Sequence, residues 1–325
     1  MDWPVIGDDA TFEDAQEQLT AAELADGLPL VPPTSGRLAA MLASSPDPDA
    51  SLGFLPPLFG ELSHRTIAYN CVLAGCRPEY LPVVEAAMLA CLEPELNLLG
   101  LMTTTGAAAV ATIVHGPIAE KLGLNSGINC LGPGNHANAT IGRAISLCLR
   151  NIGGAREGAG DMATAGQPGK YTFCFAEGTG AGIPPLHVRR GIAAGRDAVT
   201  VLGLSGTAEV LPLRDGEGGD AGADAILDAL AIIMAASTAT TGAAHQPSPP
   251  EQVFILPPEL ELRLAGAGYD LAAIQDYLMK AAASRGETIA DGPDHIWPVI
   301  AGGAGVKMAY LALWGGGSTP VTRAI

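Results

Sequence analysis

The chain has 325 residues, of which 48% are hydrophobic, 16% charged and only 5% aromatic. That is ample apolar material for a large core, and it is not the composition of a disordered or fibrous chain. A formal net charge of −17 and a sequence pI of about 4.6 argue against nucleic acid and anionic lipid as partners, and most of the carboxylates are read as a solubilising surface.

The start, Met1-Asp2-Trp3-Pro4, lacks the basic stretch and apolar run of a secretory leader. The weakly polar stretch 225–236 is too short to span a bilayer and reads as a buried helix. Six cysteines in a chain of this length do not make a disulfide framework, so a cytoplasmic, reducing location is expected.

In chain order, residues 11–25 have helical periodicity through Phe12, Ala15, Leu19 and Ala22. Asp26-Gly27 turns the chain into the proline-rich strip 28–34, and Thr34 or Ser35 can cap a short helix over 36–43. Residues 44–57 read as loop. The alternation of Ile, Tyr and Val over 65–73 predicts a strand, and Pro78 opens a helix to about Cys91. A strand is expected over 107–114, a short helix from Gly116-Pro117 to Gly123, and a helix over 136–150 closed by Gly153-Gly154. Strands follow at 170–176 and 198–203. The Gly/Asp run 215–224 reads as a loop tip and 225–237 as a helix, followed by a Ser/Thr/Pro-rich linker to Pro250. Residues 253–256 form a short strand and 271–284 a helix. The stretch 296–313 holds two strands around Gly302-Gly303-Ala304-Gly305, joined as a hairpin or by a crossing loop.

Alternating helices and strands give an α/β (or α+β) class, with a mixed sheet and helices in two intimately packed lobes. The expected boundaries are a proline-rich N-terminal arm over 1–50, a first lobe with the candidate site over 51–195, and a second lobe over 196–325. A chain so poor in charge is also expected to self-associate as a homo-oligomer.

Three segments can carry chemistry. Gly132-Pro133-Gly134-Asn135-His136 feeds a helix start, where free N–H groups and the positive end of the dipole suit a carboxylate, phosphate or developing oxyanion. Gly134, Asn135, Asn138 and Arg143 are the candidate binding groups there, with His136 as a proton carrier; an ordinary capped helix is the alternative. In the second, Lys170 is a candidate base or anion ligand, Tyr171 a substrate contact and Glu177 an acid or base. In the third, Gly75-Cys76-Arg77-Pro78, a helix start beside Arg77 makes Cys76 the best nucleophile candidate, with Arg77 as a substrate contact.

The chain has neither a phosphate-binding loop nor a dinucleotide fingerprint, and Gly203-Leu204-Ser205-Gly206 is not a nucleophile elbow. No cofactor is therefore expected. No His or Cys pair has metal-ligand spacing, and a zinc site would have to be gathered from distant residues such as Cys130, His136, Cys174 and His187.

Residues 26–34 (Asp26-Gly27-Leu28-Pro29-Leu30-Val31-Pro32-Pro33-Thr34), 74–84, 132–143, 168–171 and the closing Pro320-Val321-Thr322-Arg323-Ala324-Ile325 resemble an uncharacterised bacterial family, and the likeness spans nearly the whole chain. The resemblance implies company with a small partner protein bearing a Cys- or Sec-Gly-Ser-Cys motif, which this chain lacks. Two readings of function follow. One is a small-molecule lyase, hydratase or hydrolase acting on a carboxylate- or carbonyl-bearing substrate at the Gly132–Arg143 helix start. The other is a binding or scaffold subunit that completes the site of a thiol-bearing partner.

Overall fold

Capping side chains start most of the N-terminal helices. In the computed structural model, which describes residues 3–212, 222–240 and 251–325, the Thr11 hydroxyl accepts from the Asp14 amide at the head of α1 (Phe12–Ala21). Thr34 does the same for α2 (Ser35–Met41). A small antiparallel hairpin, β1 (Ser51–Leu55) with β2 (Gly60–Ser63), runs straight into α3 (His64–Ala74). There Ser63 and Thr66 form a reciprocal capping box. A 3₁₀ turn at Pro78–Tyr80 leads into α4 (Leu81–Cys91), followed by α5 (Leu98–Thr103), β3 (Ala109–His115), α6 (Pro117–Lys121) and α7 (His136–Asn151). Then come β4 (Cys174–Ala176), α8 (Leu186–Arg189), β5 (Ala198–Val210), α9 (Ala223–Thr240), β6 (Gln252–Leu256), α10 (Pro258–Gly266), α11 (Leu271–Ala283), β7 (Ile296–Ile300), β8 (Met308–Leu313) and β9 (Val321–Ala324).

Seven strands make one mixed sheet in the order β4-β3-β5-β8-β6-β7, with β9 beside the first half of β5. Only the β3–β4 and β6–β7 pairs are parallel. β5 is the long spine. It pairs with β3 and β9 over its first residues, then with β8 past a bulge between Leu204 and Gly206. The sheet therefore runs unbroken from the N-terminal half of the chain into the C-terminal half.

Alternation along the strands sorts the core into layers. Val110, Val114, Val199 and Val201 join the core formed with α3, α4 and α7, while Phe254, Leu256, Met308 and Tyr310 join the one formed with α9, α10 and α11. The alternate residues, among them Ile113, Phe175, Leu202, Ile255 and Trp297, form a third cluster that reaches across the sheet from β4 to β7. Just past β4 the Gly178 amide donates to the Ile300 carbonyl at the end of β7 (2.7 Å), so the two outer strands are tied and the sheet curls around this cluster. The first fifty residues pack through Leu19, Leu24, Leu30 and Met41 into the same core as α3, α4 and α7. α9 is the one described helix long and apolar enough to cross a membrane; it lies against α11 with Ile226, Leu227, Leu230 and Met234 fully buried.

Three expectations change and one alternative is decided. Within the stretch 44–57 expected as loop, Ser51–Leu55 forms strand β1. Residues 65–73 are helical, not extended. Every residue from Ile67 to Ala74 is buried, so the helix has no polar face along that stretch and its period is hidden behind β-favouring side chains. The strand expected over 170–176 shrinks to Cys174–Ala176, because Pro168–Lys170 closes a 3₁₀ turn. β7 and β8 are joined by a crossing connection, since β6 lies between them. Most of the 215–224 run and of the Ser/Thr/Pro-rich linker falls outside the described residues.

Helix α7 meets the approach to β4 at Gly142, where an added Cβ would sit 2.4 Å from Thr172 Oγ1 and 2.7 Å from the Phe173 amide nitrogen. Backbone cannot yield as a flexible side chain does. Gly142→Ala is therefore expected to cost about 1–3 kcal/mol and lower the thermal midpoint; an unchanged midpoint would contradict this close approach.

Candidate functional site

The polar groups crowded at the start of α7 are engaged in holding the loop before it. Asn135 Oδ1 accepts from the Asn138 amide as the N-cap, and its Nδ2 donates to the Gly123 carbonyl. The buried Asn138 amide group accepts from Asn125 N and donates to the carbonyls of Asn125 and Cys130. Arg143 makes a two-pronged ion pair with Asp26 (2.8 Å each). Burial acts to raise the Asp26 pKa, but hydrogen bonds from Arg143 and Leu28 outweigh it and hold the carboxyl below its usual range. His136 is exposed beside the Tyr80 ring, and Gly134 is exposed at a positive φ of 119°. The helix start is thus a capped, clamped junction.

Along the second half of α7 the chain leaves a cavity of about 740 Å³. Met102, Val110, Leu147 and Leu149 give it apolar walls, and Lys170, Tyr171, Asp161, Arg150, Glu157 and Asp26 also line it. Lys170 Nζ pairs with Asp161, both about three-quarters buried, while Arg150 pairs with the exposed Glu157 and donates to the Ala25 carbonyl. The structure therefore brings together Lys170 and Tyr171 of the expected site, adds Asp161, and leaves Gly134, Asn135 and His136 at the far end of the helix.

Glu177 belongs to a separate cluster on the inner side of the curled sheet, at the carboxyl ends of the parallel strands β3 and β4. Its Oε2 lies 2.7 Å from His115 Nδ1, and both carboxylate oxygens lie 2.9 Å from the Leu186 amide. His115 Nε2 lies 2.8 Å from Thr200 Oγ1, which in turn meets Thr322 Oγ1 at 2.9 Å. Gly116 makes this corner possible: at φ +87° any Cβ would fall 2.5 Å from the Arg196 carbonyl oxygen. His187, at the start of α8, stacks 5.2 Å from His115. Burial first, and then the neighbouring His115, lowers its pKa, so its neutral form is favoured.

The Cys76 thiol turns inward just past the C-terminus of α3 and meets the Thr140 carbonyl at 3.3 Å, whereas Arg77 is exposed. The helix start predicted at this position is the 3₁₀ turn from Pro78, which precedes α4. Burial raises the thiols of Cys130 and Cys174, the first within the curl and the second in the core beneath α7. The dispersed zinc set is not assembled: among the described residues, His187 finds His115 and Glu177 as companions instead. Sequence reasoning missed His115 and Asp161. A histidine ending an apolar strand at His115-Gly116-Pro117 was the available signal for the first; the second had none.

Among the segments that carry the family resemblance, residues of 26–34 and 74–84 and the residue following 168–171 meet α7, whereas 320–325 holds β9, beside β5. Asp26 pairs with Arg143, Cys76 touches Thr140, and Thr172 Oγ1 donates to the Ala139 carbonyl (2.9 Å) just after the 168–171 segment. No protein-family model, curated protein or solved structure matches the chain significantly.

Proposed function

We propose that the chain is a cytoplasmic small-molecule enzyme of the lyase, hydratase or hydrolase type that holds a carboxylate- or carbonyl-bearing substrate beside Lys170. The observation that carries this reading is the largely buried Lys170–Asp161 pair in an apolar-walled cavity of about 740 Å³. An ammonium fixed beside a substrate oxygen stabilises negative charge developing there, and its effect is strongest where water is sparse. The neighbouring carboxylate can take a proton from carbon or water in the same step. The substrate thus sits along the second half of α7 rather than at its start. The six free thiols are in keeping with a reducing compartment.

Calorimetric titration of short carboxylic, dicarboxylic and oxo acids is expected to find a binder. Its affinity should fall about 10–100-fold in Lys170→Met, the loss of one charge-assisted hydrogen bond, with a cooperative urea transition kept at a lowered midpoint because Asp161 loses its partner. Equal binding in the variant, or no binder in the series, would reject the cleft as the substrate site.

A second reading, a subunit that docks on a thiol-bearing partner or a second copy of itself, is favoured by Phe54, Leu58 and Phe59, exposed together on the β1–β2 hairpin. On that reading Phe54→Ser with Phe59→Ser abolishes assembly in analytical ultracentrifugation and leaves ligand binding in the cleft intact. Loss of cleft binding with assembly unchanged would count against it.

A further inference from the structure

The geometry points to a divalent transition-metal site made by His115, Glu177 and His187, which shares no residue with the Lys170 cleft. One ligand atom from each of the three side chains lies within 4.8 Å of the others. The side chains of His115 and Glu177 are 0% and 3% exposed, and His187 is 3% exposed. Both ring nitrogens of His187 are buried and have no hydrogen-bond partner among the described residues. Buried polar atoms are almost always satisfied, and an imidazole that faces another imidazole and a carboxylate is satisfied by a cation held between them.

The surroundings hold these ligands as metal ligands are held elsewhere. His115 leans on Thr200, which leans on Thr322, and this hydroxyl chain fixes the ring through the nitrogen remote from Glu177. Glu177 is oriented by the Leu186 amide. When Nδ1 of His115 takes the metal, the single ring proton is carried on Nε2 instead, which donates to Thr200 Oγ1, while the Thr200 hydroxyl proton turns to Thr322; the imidazole stays neutral and no net proton is released. The His115–Glu177 pair, now 2.7 Å apart, has to open by about 0.7 Å to become two tetrahedral ligands. Two imidazoles with one carboxylate suit Zn2+ and its first-row neighbours and disfavour the all-oxygen cations Ca2+ and Mg2+. The metal would fasten α8, through His187, to the ends of β3 and β4.

The test is Zn2+ uptake by the full chain after treatment with a chelator, read by elemental analysis after gel filtration and by competition with a chromogenic chelator. We expect one equivalent bound with a raised thermal midpoint, and a Co2+ form whose visible absorption reports four-coordination. Glu177→Gln and His187→Ala should lose the stoichiometric uptake. Thr200→Val, which keeps the shape of the residue, should weaken affinity about 10–100-fold. Cys76→Ser should bind as the wild type does. No stoichiometric uptake by the wild type overturns the assignment, as does wild-type binding by Glu177→Gln or loss of binding in Cys76→Ser, the result expected of a thiol site.

Discussion

Glu261→Ala is expected to lower the unfolding free energy by about 3 kcal/mol and to release the loop 178–185. Glu261 is 2% exposed on α10, and its carboxylate accepts from the backbone of three consecutive residues of that loop: Oε2 from Ala181, Oε1 from Gly182 and Ile183, all at 2.8–2.9 Å. Water can replace the carboxylate at the exposed Ala181 and Gly182 amides. It cannot do so easily at Ile183, which is 6% exposed, so one amide loses its partner while buried. Glu261→Gln is the finer probe. Its oxygen can keep Gly182 and Ile183, but its NH2 then faces the Ala181 N–H, so a loss of about 1 kcal/mol is expected. Urea unfolding gives the two losses, and amide hydrogen exchange at 181–183 locates them. Unchanged exchange at Ile183 in the alanine variant would show that the loop is held by other contacts. Because this loop leads directly to His187, the alanine variant should also bind Zn2+ more weakly than the wild type.

That loop illustrates why the fold was more legible than the site. Periodic segments with good punctuation were readable: Asn135 before α7 and Pro117 at α6 carry their signals within a few residues. α3 was misread because it is buried on nearly every side and rich in side chains that also suit strands. α10 was missed because its Pro257-Pro258 start reads as loop, and β9 because four residues at a chain end carry too short a pattern. The partners of β5 could not be inferred, since pairing is decided by tertiary packing over long separations.

The site depended on such separations entirely. Lys170 and Tyr171 were visible as a polar pair on a Pro-Gly turn, and they do line the cavity. Arg143 was equally visible, yet Asp26 lies 117 residues away and converts it into a clamp on the N-terminal arm. Asn138 stood out as a polar residue in an apolar stretch, and the physical reason is a buried amide that closes the 125–130 loop. His115, Glu177, His187 and Thr200 come from four separate segments, and only the curl of the sheet brings them together. A polar residue in an apolar stretch marks a place where something must be satisfied; whether by backbone, an ion pair or a ligand is decided by residues far away in the chain.

Glu251→Gln is expected to stabilise the protein modestly under mild acid, by about 1 kcal/mol near pH 5, and by about 3.5 kcal/mol near pH 8. Glu251 stands immediately before β6, and its side chain is 11% exposed. Its Oε2 is buried without a partner among the described residues. Burial pushes its pKa up to about 7; Arg190 pulls it down and Asp294 pushes it further up, with His295 Nδ1 3.6 Å from Oε1. An unfolded glutamate titrates near 4.3. Between that value and 7 the folded state holds the proton that the unfolded state has released, so stability falls as pH rises through this window. The penalty from this one group grows from about 1 kcal/mol near pH 5 to about 3.5 kcal/mol near pH 8. Glutamine imitates the protonated acid and has no such penalty. Arg190 keeps its own support in the variant, over the Trp297 ring at 4.2 Å and donating to the Pro320 carbonyl (2.8 Å), so its charge is not stranded. Urea unfolding of both proteins at the two pH values measures the difference. A gap that widens toward pH 8 in favour of glutamine is the expected result. A variant less stable than the wild type at pH 8 would mean that Glu251 is ionised and paired in the folded protein, and that its attraction to Arg190 outweighs the cost of burial.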